Sequence, residues 1–131
     1  MRMEARPLWH VLVMDWTAVE NTPPSSRRPL EMQRWHFRVE RLATMLDRPA
    51  GELVGELKDE ARREAGRQRR EMEASLAEDL AVGEAQGKPM NPPWRRKLQD
   101  LAEISGQPCE AVRDRVAAAA ASILVVDARS P

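Results

Sequence analysis

The chain has 131 residues, and its 21 basic and 21 acidic side chains give a formal net charge of zero at pH 7. This balance excludes a protein that coats nucleic acid through bulk positive charge alone. A single cysteine excludes an internal disulfide framework, and two histidines beside it are too few for an ordinary zinc site. The longest largely apolar run, residues 117–126, is too short to cross a bilayer. We therefore expect a soluble cytoplasmic protein without a cofactor, a bound metal or a small-molecule substrate.

Residues 1–21 are predicted to form the first element, a helix. The apolar side chains of Leu8 and Leu12 begin a series at helical spacing. The same segment is dense enough in apolar residues to be a buried strand, and residues 11–15 are similar to residues 123–127. Two strands pairing at these positions are the alternative to an all-helical protein.

Two helical hairpins are predicted after a proline-rich linker at residues 22–29. The first hairpin, with a charged extension, covers residues 30–86. A second proline-rich break at residues 87–93 precedes the second hairpin at residues 94–127, and a tail follows at residues 128–131. Apolar side chains recur at helical spacing through both hairpins, so the predicted fold class is all-α.

The two hairpins repeat one sequence pattern at a shift of 59 residues. Five of the eight aligned positions are identical, and the other three stay apolar. The pattern predicts a duplicated unit: a helix led by tryptophan, a short turn, and a helix that starts at proline. We therefore predict two related hairpins joined by a long charged helix. The aligned pairs are Trp35 with Trp94, Val39 with Leu98, Leu42 with Leu101, Ala43 with Ala102, Pro49 with Pro108, Leu53 with Val112, Leu57 with Val116, and Ala61 with Ala120.

The second hairpin resembles the helix-turn-helix motif of DNA-binding regulators. Ala102, Gly106 and Val112 have the motif's spacing, and the first hairpin has Asp47 where the motif has glycine. The resemblance implies that the helix after the turn reads bases, which needs basic or amide side chains on its exposed face. The first hairpin would present small or apolar residues there, and the second would present two acids, which argues against reading in the major groove.

Two basic clusters indicate how the chain would hold nucleic acid if it binds any. Five arginines fall within residues 62–70, and Trp94 is followed by three cations. Such clusters suit phosphate contacts, but alternating charges on a solvated helix face have the same composition. The candidate contacts are Arg62, Arg63, Arg67, Arg69, Arg70, Arg95, Arg96, Lys97 and Arg113.

The most apolar segments lie near the two ends of the chain and predict a surface that binds protein. Packing of the two ends into one core is the alternative interpretation. The candidate contact residues are Val112, Val116, Ile123, Val126, Leu8 and Leu12.

The sequence predicts no catalytic residue. His10, His36 and Cys109 have no partner at the spacing that metal binding or nucleophilic catalysis needs. The predicted function is therefore a non-catalytic protein-interaction or assembly factor that self-associates, as small accessory proteins of bacteria and phages do. The alternative is a helix-turn-helix regulator whose arginine clusters contact the DNA backbone.

Overall fold

The computed structural model describes the backbone of residues 3–129 and the side chains of residues 3–126. Within this part of the chain every regular element is helical, which confirms the all-α prediction. The alternative of paired strands is wrong, because residues 11–15 and 123–127 both lie inside helices. The elements are α1 (Ala5–Glu20), a 3₁₀ turn (Pro24–Ser26), α2 (Pro29–Leu46), α3 (Ala50–Gln86), α4 (Pro92–Ser105) and α5 (Cys109–Arg129).

The chain divides into two compact units, and the boundary falls inside α3. The N-terminal unit ends at Arg67 and includes α1, α2 and the first part of α3, whereas the C-terminal unit begins at Gln68. The proline-rich segments at residues 22–29 and 87–93 each connect helices within one unit. Proline interrupts a helix locally, but a unit is defined by the core that its helices share.

The core of the N-terminal unit takes side chains from all three of its helical segments. Leu12 of α1, Trp35 of α2 and Leu57 of α3 are buried in one cluster. The indole N–H of Trp35 donates to the carbonyl oxygen of Leu12 at 2.8 Å, so the buried polar group is satisfied. The Thr17 hydroxyl lies 3.4 Å from the carbonyl oxygen of Ala61, which shows that α1 approaches α3 closely through small residues.

The core of the C-terminal unit is built in the same way from the second part of α3, α4 and α5. Leu76, Leu98 and Val116 are buried in one cluster, and Trp94 packs against it while remaining partly exposed. The indole N–H of Trp94 donates to the carbonyl oxygen of Leu76 at 3.0 Å. No helix among the described residues is long and apolar enough to span a membrane.

The helices α2 and α4 end in the same left-handed turn. Asp47 follows α2 with φ 50°, and Gly106 follows α4 with φ 65°. The backbone N–H of Arg48 donates to the carbonyl oxygen of Ala43 at 3.1 Å. In the second turn the backbone N–H of Gln107 donates to the carbonyl oxygen of Ala102 at 3.0 Å. This pattern is the Schellman motif, which satisfies the last carbonyls of a helix and reverses the chain.

We expect Gly106→Ala to lower the free energy of unfolding by about 1 kcal/mol, because a Cβ disfavours the left-handed conformation. The space around Gly106 is open, so the effect is one of backbone conformation and not of a clash. Urea denaturation followed by circular dichroism measures it. The matched control is Gly55→Ala, also in open space but inside α3, which should raise stability by roughly 0.5–1 kcal/mol. Equal effects of the two substitutions would contradict the prediction.

Candidate functional site

Most of the apolar residues predicted to contact a partner lie in the cores. Leu12, Val112 and Val116 are fully buried, and Leu8 and Ile123 pack against the cores from the edge. Leu12, Val112 and Val116 are therefore enclosed in their own units, whereas Leu8 and Ile123 remain partly exposed and Val126 is 63% exposed. The reason is that each end segment supplies one of the helical segments around a core, so its apolar side faces inward.

Some large apolar side chains that reach solvent belong to the end segments, such as Val11, Met14 and the C-terminal valines, and others lie in the middle of the chain. Leu30 and Phe37 of α2 are 58% and 60% exposed. They are seven residues apart and share one face of the helix with the exposed side chains of Arg34 and Arg41. We call these four residues the outer face of α2. The full set of exposed large apolar side chains is Met3, Val11, Met14, Leu30, Phe37, Val82, Val125 and Val126.

The sequence analysis did not select the outer face of α2, although a signal was present. Leu30 and Phe37 repeat at helical spacing, as the buried series that begins at Trp35 does. A helix with two apolar stripes can bury either one, and only the packing of α1 and α3 against the Trp35 side decides which stripe remains exposed.

Each unit also has an open groove between its first two helical segments. The groove in the N-terminal unit has a volume of about 340 Å³ and includes Asp15 and Trp35 in its lining. The groove in the C-terminal unit has a volume of about 400 Å³ and includes Asp79 and Trp94. In the first groove the guanidinium of Arg38 bridges to the Asp15 carboxylate at 2.8 Å, so these two charges neutralise each other.

A cluster of aromatic rings and one cation lies beside the first groove. The rings of Trp16 and Trp35 have centroids 4.6 Å apart, and Lys58 Nζ is 4.2 Å from the centroid of the Trp16 ring. The imidazole of His36 lies edge-on to Trp35 with centroids 5.1 Å apart. Partial burial, and next the positive charge of Lys58, lower the pKa of His36 below its ordinary value, while Glu40 acts in the opposite direction.

The predicted arginine cluster at residues 62–70 is divided between the two units and partly neutralised. Arg62 is paired with Glu20 at 3.4 Å, and Arg67 is paired with Glu64. At about 100° per residue, the five arginines are spread over roughly half the circumference of α3. This arrangement is that of a solvated helix with local ion pairs, and it provides no single basic stripe.

The cations at the start of α4 are arranged differently. Arg95, Arg96 and Lys97 are exposed, and none of them forms an ion pair with the residues that the structure describes. Arg113 is also exposed, but it follows the turn at the other end of the α4–α5 hairpin. Of the candidate phosphate contacts, only Arg95, Arg96 and Lys97 form one compact group of charges that no ion pair neutralises in the described part of the chain.

Other kinds of site are not evident in the described part of the chain. No group of three or more histidine, cysteine, aspartate or glutamate side chains there is placed to hold a metal ion. Cys109 is a free, partly buried thiol at the start of α5. Comparison of the chain with protein-family models, with curated proteins and with solved structures gives no match.

We expect Lys58→Gln to raise the pKa of His36, because the substitution removes a positive charge that disfavours the imidazolium. An NMR titration of the His36 ring measures this change. Lys58→Arg is the matched control, since it keeps the charge and should leave the His36 pKa low. The same pKa in the wild type and in Lys58→Gln would show that Lys58 does not act on His36.

The lowered pKa also sets the sign of a pH dependence of stability. The folded state binds fewer protons at His36 than the unfolded state between the lowered pKa and the unfolded value of about 6.5. The free energy of unfolding should therefore fall as the pH is lowered below about 6.5. His36→Gln should reduce that fall in urea titrations at several pH values, and an unchanged pH profile would contradict this assignment.

Proposed function

We propose that the protein is a non-catalytic helical assembly factor that self-associates and binds protein through the outer face of α2. The observation that supports this function is the exposure of Leu30 and Phe37, at 58% and 60%, on a helix whose opposite side is fully packed. Large apolar side chains placed together in solvent are typical of surfaces that bind another macromolecule. Arginine and aromatic side chains are also enriched among residues that dominate interface energies, and Arg34 and Arg41 flank Phe37.

We also propose that the scaffold is a duplicated three-helix unit. A shift of 59 residues aligns α2 with α4 and the first part of α3 with α5. The eight aligned pairs are buried in both units, except that Trp94 is partly exposed and the two turn prolines are exposed. A shift of 64 residues relates α1 to the second part of α3 and again aligns buried positions. This relation supports a duplication longer than the hairpin, in which α3 supplies the third helix of one unit and the first helix of the other. The pairs at the second shift are Leu12 with Leu76, Val13 with Ala77, and Thr17 with Ala81.

The tryptophan hydrogen bonds give independent support for the duplication. Trp35 donates to Leu12, and Trp94 donates to Leu76, which occupy matching positions under the two shifts. A duplicated scaffold would carry the outer face of α2 on a rigid unit, because α2 is held by the core beneath it. Rigid presentation lowers the entropic cost of binding.

We expect Leu30→Ser combined with Phe37→Ser to abolish capture of the protein's partners while changing the free energy of unfolding by less than about 0.5 kcal/mol. Both side chains are exposed, so their removal costs little core packing. The measurement is chemical crosslinking and affinity capture from the source cells, quantified by mass spectrometry. Val125→Ser combined with Val126→Ser is the matched control, because these valines are 50% and 63% exposed. Equal capture by the α2 variant and the wild type would overturn the proposed role of this face.

A second candidate function, contact with a DNA backbone, is favoured by the basic group at residues 95–97. Arg95, Arg96 and Lys97 are neighbouring like charges in the second turn of α4, so an external anion would relieve their mutual repulsion. The backbone does not offer an anion site there, because Pro92 and Pro93 lack N–H groups and the Trp94 N–H donates to the Asn91 side chain at 3.0 Å. Any phosphate would therefore be held by side chains alone.

Binding to a labelled duplex at about 50 and about 200 mM salt separates the two functions. The assembly function predicts no binding even at the lower concentration. Micromolar binding that weakens steeply with salt, and that is lost when Arg95, Arg96 and Lys97 are changed to alanine, would instead favour the regulator. The control is the Arg62→Ala, Arg63→Ala, Arg67→Ala variant, which removes the same number of cations from α3.

A further inference from the structure

We propose that the outer face of α2 docks on the acidic outer face of α3 in a second copy of this chain. The acidic face consists of Glu71, Ser75, Glu78 and Val82, all of which are exposed. This inference rests on the proposed function, and it identifies the partner and the surface that the partner presents.

The charges of α3 are strongly segregated along the helix. Five arginines fall within residues 62–70, whereas residues 71–86 contain five carboxylates and no lysine or arginine. Arg115 holds the Glu73 carboxylate at 2.8 Å, but the carboxylate of Glu78 has no ion-pair partner in the described part of the chain. Val82, at 54% exposure, adds an apolar side chain to the acidic face. This face therefore suits a partner that is both basic and apolar.

The outer face of α2 has that complementary character. Arg34 and Arg41 form no ion pair with any described residue, and the exposed Leu30 and Phe37 alternate with them. The core side of α2, which includes Trp35, packs against the α3 segment of its own unit. The outer face is consequently turned away from the α3 segment of its own unit, and we infer that a carboxylate from another molecule is its counterion.

The two faces match residue by residue in spacing. Each consists of positions i, i+4, i+7 and i+11 of a helix, so each forms a stripe about 16 Å long. The two arginines are seven residues apart, as are the two glutamates, and both pairs therefore span about 10.5 Å. An antiparallel arrangement brings all four positions into register and places the bulky phenylalanine over a serine. The facing pairs are Leu30 with Val82, Arg34 with Glu78, Phe37 with Ser75, and Arg41 with Glu71.

The size of the contact predicts its strength. One pair of short helices buries less than the roughly 1,200 Å² of a standard stable interface. Each chain carries both faces, so one copy can contact a second copy through α2 and a third copy through α3. We expect a reversible association that depends on concentration and weakens as salt screens the ion pairs.

Charge exchange tests the proposal directly. Arg34→Glu with Arg41→Glu makes both faces of one variant acidic, and Glu71→Arg with Glu78→Arg makes both faces of the other basic. Each variant alone should associate at least tenfold more weakly than the wild type in sedimentation analysis over a range of protein concentrations. An equimolar mixture of the two variants should recover association, because every docking contact between unlike chains is again complementary.

Two further variants serve as controls. One reverses charges on a different helix, and the other changes the outer face of α2 without changing its charge. Arg95→Glu with Arg96→Glu makes the same change on α4 and should associate like the wild type. Phe37→Ser leaves all charges in place and should weaken association as well. Circular dichroism of each variant reports whether its helices are retained.

The outcomes distinguish this inference from the proposed function. A wild-type protein that is monomeric at every concentration overturns both the docking between copies and the self-association in the proposed function. A mixture of the charge variants that fails to associate overturns only the docking between these two faces. Neither result affects the capture of other proteins through Leu30 and Phe37, which stands or falls by its own experiment. Unchanged capture by the Leu30→Ser, Phe37→Ser variant, together with self-association that the charge variants lose alone and recover when mixed, would overturn the role of α2 in binding other proteins and leave the docking in place.

Discussion

Each unit depends on a tryptophan whose ring packs between helices and whose N–H bonds to the backbone of the neighbouring helix. Trp35 donates to Leu12 at 2.8 Å, and Trp94 donates to Leu76 at 3.0 Å. A helical carbonyl already accepts one bond along its own helix, but its oxygen has a second lone pair. The indole N–H therefore bonds to this oxygen without breaking a hydrogen bond of the neighbouring helix, and the bond fixes the position of the indole ring. The aliphatic side chains around each ring then complete the core.

The composition of these cores determines which apolar side chains remain exposed and able to bind a partner. The chain has few aromatic residues, so leucine, valine and alanine supply most of the burial, and every segment with a dense apolar side is used internally. Phe37 is the one phenylalanine of the sequence, and it lies outside both cores at 60% exposure. Exposure of this large ring to water carries an unfavourable solvation free energy, which supports a binding role for the outer face of α2.

Charge has two different uses on this surface. Arg62 and Arg67 are neutralised by nearby carboxylates, so they contribute solubility and little stability. Arg34, Arg41 and Glu78 have no such partner among the residues described and are displayed on helix faces that also carry exposed apolar side chains. Charged groups that flank apolar contacts set the register and the selectivity of an interface more than its strength. The proposed docking between copies uses them in this way.

The local pattern of the sequence determined the helical class, the turns and most of the buried positions. Apolar spacing identified the side chains of the α2 and α4 cores, and Asp47 and Gly106 were recognisable as turn residues because both tolerate a left-handed backbone. The same pattern could not show that residues 22–29 and 87–93 lie within units, since proline reports a local interruption and not the extent of a core.

Only the tertiary structure decided which apolar stripe of each amphipathic segment is covered. Leu12, Val112 and Val116 were predicted to face a partner but are buried, whereas Leu30 and Phe37 are exposed. The spacing of apolar residues along a helix is the same whether they meet a neighbouring helix of their own unit or another molecule. Which of the two they meet depends on contacts between segments far apart in sequence, and those contacts exist only in the folded chain.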